Sequence, residues 1–285
     1  MGIHKRAMLV TLNISTWGTE RKDKQQAERL AQLNNANSMA VRVEKDIMAG
    51  TTLASEINKY AAKVRTWNNK VTLPWEDQGA RLLPMTYFFE WKEEMKKHEA
   101  HFDKLVNTLV PRFASEIQIA MQELGAMANP DLYPDPSEIA ARYKFKYRCK
   151  PVPASGHFCL DANNAEVKDV MEACDAEVQD QLAEAMKKPW EKLHSLLLHM
   201  SDKLAATDDD DAPKKRIHST FVDNAQELCD LLKHMNITGD PELEGARKQL
   251  EITLLSADVE ELKAYDYQRE NMKTKVDKIL GQFDW

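Results

Sequence analysis

Between Phe88 and Leu109 the side chains Phe88, Trp91, Met95, His98, Phe102, Leu105 and Leu109 recur at alternating intervals of three and four. That spacing draws one nearly straight stripe down an α-helix and matches positions a and d of a heptad. A stripe of this length must be covered, so the chain is committed to helix-on-helix packing. The pattern predicts a helix opening near Leu82, with Pro84 tolerated in its first turn. Beyond Pro111 the stripe shifts by one position to Phe113, Ile117, Met121 and Leu124. A kinked or stuttered helix on the order of 65 Å long is expected from the usual rise per residue.

A second long pattern runs from about Ala165 to Ala206. Its stripe is Val167, Val170, Met171, Cys174, Val178, Leu182, Ala185, Leu193, Leu196, Leu197, Met200 and Leu204, interrupted at Pro189 as the first is at Pro111. Helices on either side of a compact hairpin run most economically antiparallel, and a shared bend at the two prolines is expected. Shorter helical patterns occupy Arg21 to Asn37, with a thin stripe at Leu30 and Leu33, and Leu53 to Trp67, with Ile57, Tyr60 and Val64 between. Only 9 glycines occur in 285 residues, which favours long helices over a sheet rich in tight turns.

Two stretches break the helical period. In residues 8 to 17, Val10, Leu12 and Ile14 alternate with Thr11, Asn13 and Ser15, which predicts a half-buried strand. Residues 143 to 151 alternate more sharply. Tyr143, Phe145, Tyr147 and Cys149 share one face, and Lys144, Lys146, Arg148 and Lys150 share the other. A short return strand is expected at His157 to Leu160, so that a small sheet or hairpin sits beside the helices.

The fold class is therefore mainly α: long kinked antiparallel helices, coiled-coil-like, with one small β-sheet and a C-terminal helical region. Residues 1–206 are expected as an elongated helical domain. Residues 207–216, four aspartates followed by Pro213 and a basic run, read as a charged linker. Residues 217–285 read as further helices, one of them capped by Asp258.

The basic strand is the leading candidate for a working surface. Four cations at roughly 6.7 Å intervals suit a phosphate backbone, DNA or RNA, or an acidic protein partner. If both faces were open, the alternating aromatics would add base stacking. The competing reading packs the aromatics on helices and leaves the cations to keep a sheet edge soluble. A net charge of -7 argues against wholesale nucleic-acid binding and leaves the local patch undecided.

The segment from Thr72 to Pro84 offers Trp75, Glu76, Asp77 and Arg81 as a second candidate, an interface or loop site. Its plainer reading has Trp75 packed and Glu76 or Asp77 paired with Arg81 or capping a helix. His98, His101 and Glu94 lack the spacing of a zinc-protease motif, and His98 sits on the stripe, so it is taken as a satisfied or interface histidine with no metal. No phosphate loop, nucleophile elbow or kinase signature occurs, and no cofactor or catalytic residue is assigned. No CxxC pair joins Cys149, Cys159, Cys174 and Cys229, and no run of about 18 apolar residues exists, so reduced thiols in a cytoplasm and no constitutive membrane span are expected.

Three stretches, LVTLNISTW from Leu9 to Trp17, TLPWEDQGARLLP from Thr72 to Pro84, and FKYRCKPVP from Phe145 to Pro153, resemble a family of helical proteins encoded by bacteriophages and related mobile elements. The resemblance covers about the first two-thirds of the chain and leaves the part after Asp211 unanchored. The family brings no assigned activity, so it implies no catalytic residue. It implies a protein at work in the cytoplasm of an infected bacterium, in DNA handling or beside a phage or host partner such as a ring ATPase.

The leading expectation is a non-enzymatic helical assembly or adaptor protein, homo-oligomeric through its stripes. Two alternatives stay open: a membrane-active helical protein of the pore-forming type, against which the four cations of the hairpin count, and an enzyme whose site is assembled from Trp75, Asp77, Arg81 and distant residues.

Overall fold

The structure is a computed structural model, and it describes residues 3–75, 79–153, 165–205, 216–283 and 285. In chain order the elements are β1 (Ala7–Ser15), β2 (Glu20–Lys22), α1 (Lys24–Leu33), β3 (Glu44–Asp46), α2 (Leu53–Val71), β4 (Leu73–Pro74), β5 (Ala80–Pro84), α3 (Phe88–Leu109), α4 (Phe113–Leu124), α5 (Ile139–Arg142) and β6 (Lys144–Pro151). Then follow α6 (Ala165–Leu204), α7 (Phe221–Met235), α8 (Pro241–Leu255), α9 (Val259–Ala264) and α10 (Asp266–Leu280). The fold is mainly helical, with a four-stranded sheet in the order β4-β5-β1-β6 and a two-stranded ribbon of β2 and β3. The expected return strand at 157–160 and most of the expected linker, 207–215, lie outside the described residues.

The chain divides into two compact units, one of Met1–Thr11, Asn69–Phe89 and Cys149–Trp285, the other of Leu12–Asn68 and Glu90–Arg148. In the second unit the stripe residues behave as their spacing requires. Ile57 and Val64 of α2 and Trp91, Met95, Phe102 and Leu109 of α3 are buried, and Leu53, Tyr60, Trp67, His98 and Leu105 are half-buried. A buried indole needs an acceptor for its N–H, and Trp91 Nε1 donates to Asn68 Oδ1 at 2.9 Å. Pro111 cannot donate to the carbonyl of Asn107, so α3 stops at Leu109 and a 3₁₀ turn over Val110–Arg112 leads into α4. Leu109 and Phe113 are both fully buried, so the apolar seam survives the break. The ribbon is fastened by Lys45, which pairs with Asp23 at 2.9 Å and donates to the carbonyl of Met127 at 2.8 Å.

Two expectations need correction. Residues 80–84 open no helix: they form β5, paired antiparallel with β1 from Ala7↔Pro84 to Thr11↔Ala80 and flanked on its other side by β4. An inner strand covered on both faces reads as an unbroken apolar run, and Leu82-Leu83 is such a run, which a helical stripe accommodates equally well. Likewise Arg21 and Lys22 lie in β2, and the helix that follows is short. It buries Ala27 and Ala31, whose small side chains allow close packing, while Leu30 and Leu33 are 46% and 74% exposed.

In the first unit α6 packs against α7, α8, α10 and β4, so the helices before and after the 207–216 segment share one body. Its second half buries Ala185, Met186, Leu193, Leu197, Met200 and Leu204. Ser201 Oγ donates to Asp277 Oδ1 of α10 at 2.5 Å. Asp240 caps α8 by accepting from the amides of Glu242 and Leu243, and its other oxygen accepts from Trp190 Nε1 of α6 at 3.0 Å. On α8, buried Arg247 is held by both oxygens of Glu244 at 2.9 Å and by Glu251 at 3.0 Å, so that each guanidinium nitrogen donates to a carboxylate.

Candidate functional site

Strand β6 alternates as its sequence requires as far as Tyr147, whereas Cys149, expected on the covered face, is exposed. Tyr143 and Phe145 are buried and Tyr147 is half-buried, whereas Lys144, Lys146, Arg148 and Lys150 are all exposed. The aromatic side belongs to the core of the second unit. Phe102 meets Tyr143 and Phe145 at ring-centre distances of 6.4 and 5.6 Å, and Trp91 meets Tyr147 edge-on at 5.6 Å. Burial pushes the Tyr143 phenol up to about 12. Those rings are unavailable for base stacking. The cations are differently placed: among the described residues none of the four forms an ion pair, and β6 is the outer strand of its sheet. What remains is a line of four exposed positive charges along one strand.

In the second candidate, the two described members, Trp75 and Arg81, do structural work. Trp75 is buried. Glu76 and Asp77 lie outside the described residues. Arg81 is spent on the end of α2: Nε donates to Thr72 Oγ1 at 2.6 Å, and Nη2 donates to the carbonyls of Thr72 at 3.0 Å and Asn69 at 3.3 Å. Burial lowers its pKa. A second cation does the same job, because Lys192 of α6 donates to the carbonyl of Lys70 at 2.7 Å. Helix C-termini carry unpaired carbonyls and the negative end of the macrodipole, so two cations there are electrostatically matched without a carboxylate. Burial, helped by Arg81, Lys70 and Lys188, pushes the Lys192 ammonium down to about 8. The sequence reading missed Lys192, because nothing in its local spacing marks it as a cap for a helix 122 positions away.

His98 sits between α2 and α3 in the second unit. Its Nδ1 is 2.8 Å from the Tyr60 hydroxyl, its ring lies 4.9 Å from that of Trp67, and its Nε2 is buried with no partner. Burial holds its pKa below the usual histidine range, with Lys63, His101 and Lys97 acting the same way and Glu94 opposing. The neighbouring open groove is lined by Glu56, Lys59, Tyr60, Lys63, His101 and Leu105, and the Tyr60 and His101 rings meet at 4.4 Å. His98 is thus an aromatic packing histidine kept neutral.

Among the described residues, no three His, Cys, Asp or Glu side chains are grouped to hold a metal ion, and no helix is long and apolar enough to cross a membrane. The buried Cys229 thiol is pushed up to about 12, which suits a packing residue rather than a nucleophile. Compared with known protein families, with characterised proteins and with solved structures, the chain matches none.

Proposed function

We propose that the protein is a non-enzymatic helical assembly or adaptor module that touches the phosphate backbone of nucleic acid with Lys144, Lys146, Arg148 and Lys150. The observation that carries this reading is the exposure of all four cations with no ion pair among the described residues, on a strand whose other face is anchored in the core. Cations without carboxylate partners have no attachment to break before meeting a phosphate. With Tyr143 and Phe145 buried and Tyr147 packed on Trp91, contacts go to phosphates, and binding is insensitive to sequence. The resemblance to phage-encoded proteins carries the rest of the proposal: a host bacterial cytoplasm, self-association, and a phage or host partner such as a ring ATPase.

The test is fluorescence anisotropy with duplex and single-stranded DNA and with RNA across a salt series. Four phosphate contacts on a duplex give a slope of log affinity against log salt of about -3.6. Replacing Lys144, Lys146 and Lys150 by Gln together with Arg148→Gln should remove most of that slope. Absence of binding at low salt, or an unchanged slope in the quadruple variant, overturns the reading.

A further inference from the structure

The apolar seam of α6 outruns its cover. From Ala185 to Leu204 the seam is buried, and α10 runs along it antiparallel: Asp277 reaches Ser201, and Phe283 and Trp285 meet Trp190 and His194. N-terminal to that aromatic cluster the same spacing continues through Met171, Cys174, Val178, Gln181 and Leu182, yet no residue from 169 to 184 is buried and Val170 is 50% exposed. A helix merely solvated on all sides has no use for an apolar side chain at every third or fourth position.

The charge on this half is one-sided. Residues 169–184 contain Asp169, Glu172, Asp175, Glu177, Asp180 and Glu184, all exposed, and no lysine or arginine. With Met171 and Val178 at position a of a heptad, Asp175 falls at e and Glu177 and Glu184 at g, the positions that choose a partner by charge. An antiparallel second copy of the same face would set Glu177 against Glu184, and a parallel one would leave Asp175 and Glu177 facing Val170 and Leu182 with no opposite charge. A helix with lysine or arginine beside its own apolar seam would meet both requirements, covering the seam and pairing the acids.

We infer that the N-terminal half of α6, centred on Met171, Cys174, Val178 and Leu182, is a docking face for a basic amphipathic helix of a partner protein. The inference stands apart from the nucleic-acid reading, since it uses neither β6 nor its cations. Docking buries the seam, including Cys174, and forms charge pairs with Asp175 and Glu177, since Glu184 is already bridged to Lys187 at 2.5 Å.

The full chain is titrated with three synthetic helical peptides: one with a leucine seam flanked by lysines, one with the same seam flanked by glutamates, and one with the lysines but serine in the seam. The expected result is saturable binding of the first alone, with Cys174 protected from alkylation as read by mass spectrometry of its peptide. The combined Asp175→Asn and Glu177→Gln variant should bind that peptide about fivefold more weakly, the scale of two e/g charge pairs. Val178→Asp, on a half-buried site that leaves the helical circular dichroism unchanged, should abolish binding. Equal binding of the serine peptide would reduce the face to a diffuse acidic surface. Equal binding of the glutamate peptide, failure of the lysine peptide to bind, or concentration-dependent protection of Cys174 without peptide, which marks a second copy as the occupant, would each overturn the proposal.

Discussion

The two halves of α6 share a helix, a stripe and a period, and differ in what they face. Around Leu193, Leu197 and Met200 the stripe is sealed by neighbouring helices, while around Cys174 and Val178 it is only half-covered. Within the sealed half, two lysines show how far burial varies from one face of the helix to the other. Lys192 is pressed into the interior and its pKa falls, whereas Lys187 stands in solvent beside Glu184, whose hydrogen bond raises it. An amphipathic pattern therefore states that a face wants cover and says nothing of whether the chain itself supplies it.

The sharpest way to break this comparison is by truncation. Leu197→Ala removes a fully buried side chain and should cost about 3 kcal/mol in urea unfolding. A loss under about 1 kcal/mol would mean that the second half is not sealed. Trp190→Phe keeps the ring but leaves Asp240 without its indole donor, for an expected loss of about 1 kcal/mol.

The lysine contrast yields a pH experiment. Lys192 is at about 8 in the folded chain against 10.5 as its ordinary value, so between those limits the unfolded chain binds more protons and stability rises with pH. Lys192→Met should flatten that rise. Labelled-lysine NMR should show one ammonium titrating near 8 while Lys187 titrates above the usual lysine range. The smallest effect belongs to the open half: Val178→Ala should change unfolding by less than about 0.5 kcal/mol, as for a surface position. A loss comparable with that of Leu197→Ala would show that the open half already has a partner.

How much of this the sequence disclosed depended on whether a residue's environment was set by its neighbours in the chain. The stripes of α2 and α3, the alternation of β1 and β6 and the break at Pro111 are local patterns, and each was legible. The strands β2 and β3 were not, because Glu20–Lys22 and Glu44–Asp46 carry no apolar alternation to announce them. β5 was misread because its burial on both faces erases the alternation that marks a strand. At the candidate site, the exposure of Lys144, Lys146, Arg148 and Lys150 followed from strand period alone. The duty of Lys192 and the open state of half a seam depend on elements brought together from far along the chain.

The capping of α2 sets an order of events. Its last turn is closed by Arg81, which follows shortly, and by Lys192, which emerges 122 residues after Lys70. During synthesis at about 5–20 residues per second the carbonyl of Lys70 waits several seconds for its donor. The second cap of α2 is accordingly set only once α6 has emerged, and a nascent chain halted before α6 would hold that turn with Arg81 alone.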